Sequence, residues 1–268
     1  MEQNEKQGKW IARLKAVTLP GGAGYLTVKN YDGKLFHGGN QNWWLKQNHL
    51  EALKKKGEKK GKFTPYGLCR KDEDYRLARL GCGVIAINNL ELYLLHGSGM
   101  SREEYETYVR NNWQGVYRIH SDYLNFKAGL YPWKMEAGLR IFLERINHSA
   151  KVVKWAPFWT KSRKIQKSLV IEEIKRMLDA DIPVIFAYYT FIEQDSLDLY
   201  DSLQKALDGD PQDHVNSHYM TITGLYEYDL QNEKKYILYI ESWGRMYYIR
   251  YDQFAAKLSY FNNILLVR

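Results

Sequence analysis

Leu80-Gly81-Cys82-Gly83-Val84-Ile85-Ala86-Ile87-Asn88-Asn89-Leu90 is the stretch around which the rest of the chain is read. Val84, Ile87, Leu90 and then Leu94 recur at helical spacing, so a helix is expected to begin at or near Cys82. Amide groups without intrahelical acceptors and the positive end of the helix dipole collect at such a start, and both favour a thiolate over a thiol. Gly81 and Gly83 leave the sulfur uncrowded. Two readings of Cys82 follow: a nucleophile, or a small apolar residue packed at a helix start.

Moving outward from that helix, a connecting loop over 64–74 precedes it and holds Cys69. Beyond it, Ser101-Arg102-Glu103-Glu104 matches a capping box and predicts a short helix to about Val109. Pro132 suits a first helical turn, and Met135, Leu139, Phe142 and Ile146 keep helical spacing after it. Residues 152–159 read as a strand. A helix carrying Ile171, Ile174 and Leu178 leads into a buried-type strand over 182–189. Residues 191–216 are polar and read as a surface loop. Three strands follow in close succession, over 218–228, 236–241 and 246–251, then a short helix over 252–258 and a closing strand over 264–267. Helices first and a largely antiparallel sheet afterwards argue an α+β fold.

The first 50 residues read as β-rich, with a hairpin formed by 25–29 and 34–37 around Asn30-Tyr31-Asp32-Gly33. Residues 47–62 look helical and pass into the basic run Lys54-Lys55-Lys56-Gly57-Glu58-Lys59-Lys60-Gly61-Lys62. The expected division is therefore a β-rich N-terminal extension with a basic linker over 1–62, and a main domain over 63–268.

The net charge of +8 owes much to that basic run. Such a run is a nucleic-acid footprint or a solvated loop, and no aromatic residue interleaves it for base stacking. Two cysteines cannot build a disulfide scaffold or a four-ligand zinc site unaided. A reduced, cytoplasmic setting is the simpler expectation. The N-terminus lacks the apolar core of a signal peptide, and no apolar run reaches the length of a membrane span. Walker, dinucleotide and His-Glu-x-x-His motifs are absent, so no metal or cofactor is expected.

A thiolate nucleophile needs a base for its proton and a group to orient that base. Among seven histidines, His218 opens the strongly patterned stretch Ser217-His218-Tyr219-Met220-Thr221-Ile222-Thr223-Gly224. His214 falls in the polar loop and is expected to face solvent. His37, His96, His120 and His148 sit near turns or helix ends. Glu241, in Glu241-Ser242-Trp243-Gly244, ends the strand that should pair with the His218 strand. Its carboxylate is expected to accept the imidazole Nδ1–H, with Trp243 shielding that bond.

Gly81-Cys82-Gly83 opening a helix, Ser217-His218-Tyr219 opening a strand, and Glu241-Ser242-Trp243-Gly244 ending the next resemble papain-like cysteine peptidases. The nearest likeness is to bacterial branches related to the bacteriocin-processing peptidases. The separation of Cys82 and His218 falls within the roughly 130–150 residues of papain and the cathepsins. The resemblance covers about residues 75–268. It implies Cys82 as nucleophile, His218 as general base and acid, and Glu241 where the family has asparagine or aspartate. The implied reaction is hydrolysis of a peptide or amide bond through a thioester. In two places the chain departs from the pattern. Val84 and Ile85 follow where papain has a second cysteine and an aromatic. Arg76 also stands where the family has a glutamine oxyanion donor. An amidase or acyltransferase on the same triad, a non-catalytic binding module on the same fold, and nucleic-acid binding through the lysines at 54–62 are the competing readings.

Overall fold

The computed structural model describes residues 14–19, 25–47, 72–95, 99–119, 129–150, 153–157, 167–189, 196–230, 233–256 and 263–268. The basic run, Cys69, His96, His120 and nearly all of the helix expected over 47–62 lie outside them. The chain is a mixed α+β protein whose strands pair mainly antiparallel. It divides into two compact units, residues 26–149 and residues 1–25 with 150–268.

In chain order the elements begin with β1 (Lys15–Thr18), β2 (Thr27–Lys29), β3 (Leu35–His37) and a 3₁₀ turn at Gln41–Trp44. Then come α1 (Glu73–Leu80), α2 (Cys82–Leu94), β4 (Met100–Ser101), α3 (Arg102–Gln114) and α4 (Pro132–Arg145). The second half holds β5 (Val153–Pro157), α5 (Lys167–Asp179), β6 (Val184–Tyr189), β7 (Leu197–Leu199), α6 (Leu203–Asp208) and β8 (Asp213–Val215). It closes with β9 (Ser217–Leu230), β10 (Glu233–Ser242), β11 (Arg245–Arg250), α7 (Tyr251–Ala256) and β12 (Asn263–Val267).

The unit of residues 26–149 is built on α2, which packs on α1, α3 and α4. Val84, Ile87 and Leu90 are fully buried, as their spacing predicts. The capping box forms: the Ser101 side chain takes the Glu104 N–H and the Glu104 carboxylate takes the Ser101 N–H at 2.7 Å. The helix it starts runs past Val109 to Gln114. The expected hairpin forms from β2 and β3, pairing Thr27 with His37, and Gly33 turns it with φ 82°. β2 also pairs in parallel with β4. The Arg102 guanidinium clamps the hairpin, lying over the rings of Tyr31 at 4.8 Å and Trp43 at 5.0 Å and donating to Asn30 at 3.1 Å.

The other unit is a seven-stranded sheet in the order β11-β10-β9-β6-β12-β5, with β1 added along β9. β6 is an unbroken apolar run because both its faces are covered: Val184, Ile185 and Phe186 have no exposure. α5 packs on β1, β6, β9 and β12 through its buried Ile171, Ile174 and Leu178.

Two expectations need correcting. The strands expected to make one β-rich extension over 1–62 pair apart: β1 joins the β9 sheet, whereas β2 and β3 join β4. Strand partners are chosen by long-range pairing, which local composition does not encode. The stretch expected to be a polar loop over 191–216 carries β7, α6 and β8. Its few apolar residues are the reason, since Leu197, Leu199, Tyr200, Ala206 and Val215 are all buried.

Candidate active site

Cys82 is the first residue of α2. Gly81 alone separates α1 from α2, ending one helix with its N–H on the Leu77 carbonyl at 2.9 Å and starting the next with its own carbonyl on the Ile85 N–H. A side chain at Gly81 would put a Cβ 2.2 Å from that Leu77 oxygen, so close backbone approach dictates glycine. The N–H groups of Cys82, Gly83 and Val84 have no acceptor within the helix. The first turn contains no acidic residue and no side-chain cap. Cys82 is part-exposed and is a thiol rather than half of a disulfide.

Arg76 lies on α1 and is buried. Its Nη1 donates to the Ile119 carbonyl at 3.2 Å, which fastens α1 to the segment after α3. That nitrogen already serves the backbone.

Deeper along α2 lies a polar cluster in an otherwise apolar helix. Glu91 is 2% exposed. Its carboxylate accepts the hydroxyls of Tyr117 at 2.5 Å and Tyr108 at 3.0 Å, and Asn112 Nδ2 at 2.8 Å. Asn112 also reaches Asn88 Oδ1 at 2.7 Å, and Asn89 Oδ1 accepts from Tyr105 and from the Gly39 N–H. Burial pushes the Glu91 carboxyl up to about 7, and its donors with Arg145 hold it from rising further.

In the sheet unit, His218 is the second residue of β9, opposite Tyr188 of β6. Its Nε2 lies 2.8 Å from the Ser242 hydroxyl. Its ring stacks on Trp243, centroids 4.6 Å apart and planes at 27°. Trp243 meets Tyr247 edge-on at 6.3 Å. Burial pushes the imidazole down to about 3, so the ring is neutral at pH 7.

The carboxylate of Glu241 is not the group on that ring. Its Oε1 accepts the Gly244 N–H at 3.2 Å. Register gives the reason. Ile240 pairs with Ile222 and Glu241 with Thr221, beyond a bulge at Tyr239/Ile240. Side chains alternate along a strand, so His218 shares a face with Ile222, Ile240 and Ser242, and Glu241 takes the other face. Trp243 and Gly244 form a two-residue turn closed by the Ser242–Arg245 pair, with φ of 52° and 71°. Positive φ at both positions matches the strand twist, and asparagine or glycine usually fills them. A tryptophan there is strained.

His214 stands on β8 rather than in a loop. It is exposed, with Nδ1 on Asp198 Oδ1 at 2.7 Å. Among the described residues, no group of three or more histidine, cysteine, aspartate or glutamate side chains could hold a metal ion. None of their helices is long and apolar enough to cross a membrane.

Of the residues singled out from sequence, His218, Trp243 and Glu241 share one strand end, whereas Cys82 and Arg76 belong to the helical unit. Sequence reasoning missed Ser242 and Glu91. Ser242 carried no sequence signal of its own, because the bulge at Tyr239/Ile240 decides which residues of β10 share the face of His218. Three polar residues, Asn88, Asn89 and Glu91, inside an apolar helix would have flagged the other cluster. No family model, curated protein or solved structure matches the chain.

Proposed function

We propose that the protein is a papain-like, thiol-dependent acyl-transfer enzyme acting on peptide or amide bonds, with Cys82 as nucleophile and His218 as general base and acid. The observation that carries this reading is His218, a neutral imidazole with one nitrogen on a hydroxyl and one face under an indole. Burial keeps the ring uncharged at pH 7, so an unprotonated nitrogen is present to receive a proton, while the same burial weakens it as a base. Cys82 supplies the nucleophile from a helix start that favours negative charge.

The Cys82 proton passes to His218 as the sulfur bonds to the substrate carbonyl carbon. The C–N bond breaks and the leaving amine takes the proton from the imidazolium, leaving a thioester. Water then adds to that carbonyl with loss of a proton to His218. The C–S bond breaks, the acid departs and the thiol is restored. The Cys82 N–H is suited to hold the oxyanion. A reducing, cytoplasmic setting would keep the thiol competent.

One observation favours a second reading, a binding module without catalysis. Burial opposes the imidazolium, and among the described residues no carboxylate touches the ring to offset it. Alkylation separates the two. In a Cys69→Ser background, iodoacetamide should modify Cys82 with a midpoint well below the roughly 8.5 of an ordinary thiol. His218→Ala should slow the reaction at pH 6.5 about a hundredfold, within the span of general-base effects. An ordinary midpoint that ignores His218 would leave only the binding module.

A further inference from the structure

We propose that Ser242, and not Glu241, is the positioning residue for His218: its Oγ accepts the Nε2–H, so the ring is held as one tautomer with its lone pair on Nδ1. Among the described residues, the Ser242 hydroxyl is the hydrogen-bonding group on the buried ring, at 2.8 Å. Ser242 is itself only 3% exposed, so no bulk water competes for the contact. Strand alternation puts it on the face of His218 by construction, whereas Glu241 is on the opposite face with Thr221.

The turn supplies the rest of the geometry. Ser242 pairs with Arg245 at the last rung before the bend, and Glu241 Oε1 secures that bend through the Gly244 N–H. Trp243 then folds back over the ring. The two neighbours divide the work: the carboxylate holds the turn, and the turn presents the hydroxyl. A hydroxyl can donate or accept, so the contact by itself fixes ring rotation; with its oxygen as the acceptor it also fixes the tautomer, without adding negative charge. Its oxygen accepts one proton and leaves the other nitrogen as the base.

The catalytic consequence, that Nδ1 is the atom taking the Cys82 proton, rests on the acyl-transfer reading above. The positioning itself does not. The test is long-range ¹H–¹⁵N spectroscopy of the full chain labelled at histidine ring nitrogens, at pH 7.5, with His218 assigned by its loss in His218→Gln. The wild type should show protonated Nε2 and unprotonated Nδ1. Ser242→Ala should give a mixture of tautomers, Ser242→Thr should restore the single form, and Glu241→Gln should leave it unchanged.

A proton on Nδ1 in the wild type would overturn the proposal. So would a tautomer indifferent to Ser242→Ala, or one lost in Glu241→Gln. If Ser242→Ala fails to fold, the wild-type spectrum and Glu241→Gln still decide. In the alkylation assay Ser242→Ala should slow Cys82 about tenfold at pH 6.5, a fraction of the general-base effect. A tautomer that follows Ser242 while Cys82 ignores His218 would sustain the positioning and remove the enzyme.

Discussion

His218 and Glu91 are both buried and titratable, yet burial moves them in opposite directions and the protein treats them differently. His218 meets one hydroxyl and one indole. Glu91 meets two phenols and an amide. The same cause acts on each, because loss of water disfavours whichever form is charged. The imidazole is pushed down to about 3 and the carboxyl up to about 7. The carboxyl gained donors that recover part of the loss; among the described residues the imidazole gained a neutral hydroxyl. The lesson is that the sheet unit keeps its titratable group neutral by isolation, and the helical unit keeps its own poised by solvation from within.

The largest effect should come from acid. The folded His218 titrates below its unfolded value of 6.5, so its contribution is present above 6.5 and disappears as pH falls from there toward 3. At pH 3 the loss should reach about 4 kcal/mol. His218→Phe should remove that share, read as hydrogen exchange of β9 amides in variant and wild type. Equal acid sensitivity would show that the ring is hydrated.

The mirror effect belongs to Glu91. Its folded value lies above the unfolded 4.5, so its contribution is complete below 4.5 and is lost as pH rises through about 7. By pH 9 the loss should be about 3 kcal/mol. Exchange of α2 amides should carry this alkaline limb, and Glu91→Gln should flatten it. A limb that survives in the variant belongs to another group.

A smaller change sharpens the comparison from the side of the donors. The Tyr117 ring crosses α4 at Gly138, where an added Cβ would sit 2.3 Å from a ring carbon. Gly138→Ala should cost about 1–3 kcal/mol, the range of overpacking. By shifting the Tyr117 hydroxyl it should also move the Glu91 midpoint further up, visible by carboxyl NMR. The smallest stability change is expected at the turn. Trp243→Asn should relieve left-handed strain of about 1 kcal/mol while uncovering His218, whose titration should return toward 6.5. An unmoved midpoint would mean that the indole does not shield the ring.

Some of this was legible because the signals are local. The capping box, the Gly33 hairpin, the Cys82 helix and the apolar β6 each announce themselves within a dozen residues. The pairing of β1 with β9 was not legible, since a four-residue strand fits many partners. The β7, α6 and β8 segment was hidden because its polar residues outnumber the few that are buried. At the site, Glu241 drew notice by its charge, yet parity across a bulge and a turn decides which side chain reaches the ring. Ser242 is chemically quiet, and only the strand geometry picks it out.

The single-residue joint at Gly81 has a mechanical consequence. With no slack between α1 and α2, the azimuth of the sulfur is indexed at one end by the first helix and at the other by the Glu91 anchorage. Inserting one residue there would demand a rotation of about 100° between the two helices. Neither end can yield it, so the joint should reject insertions that an ordinary connector would absorb.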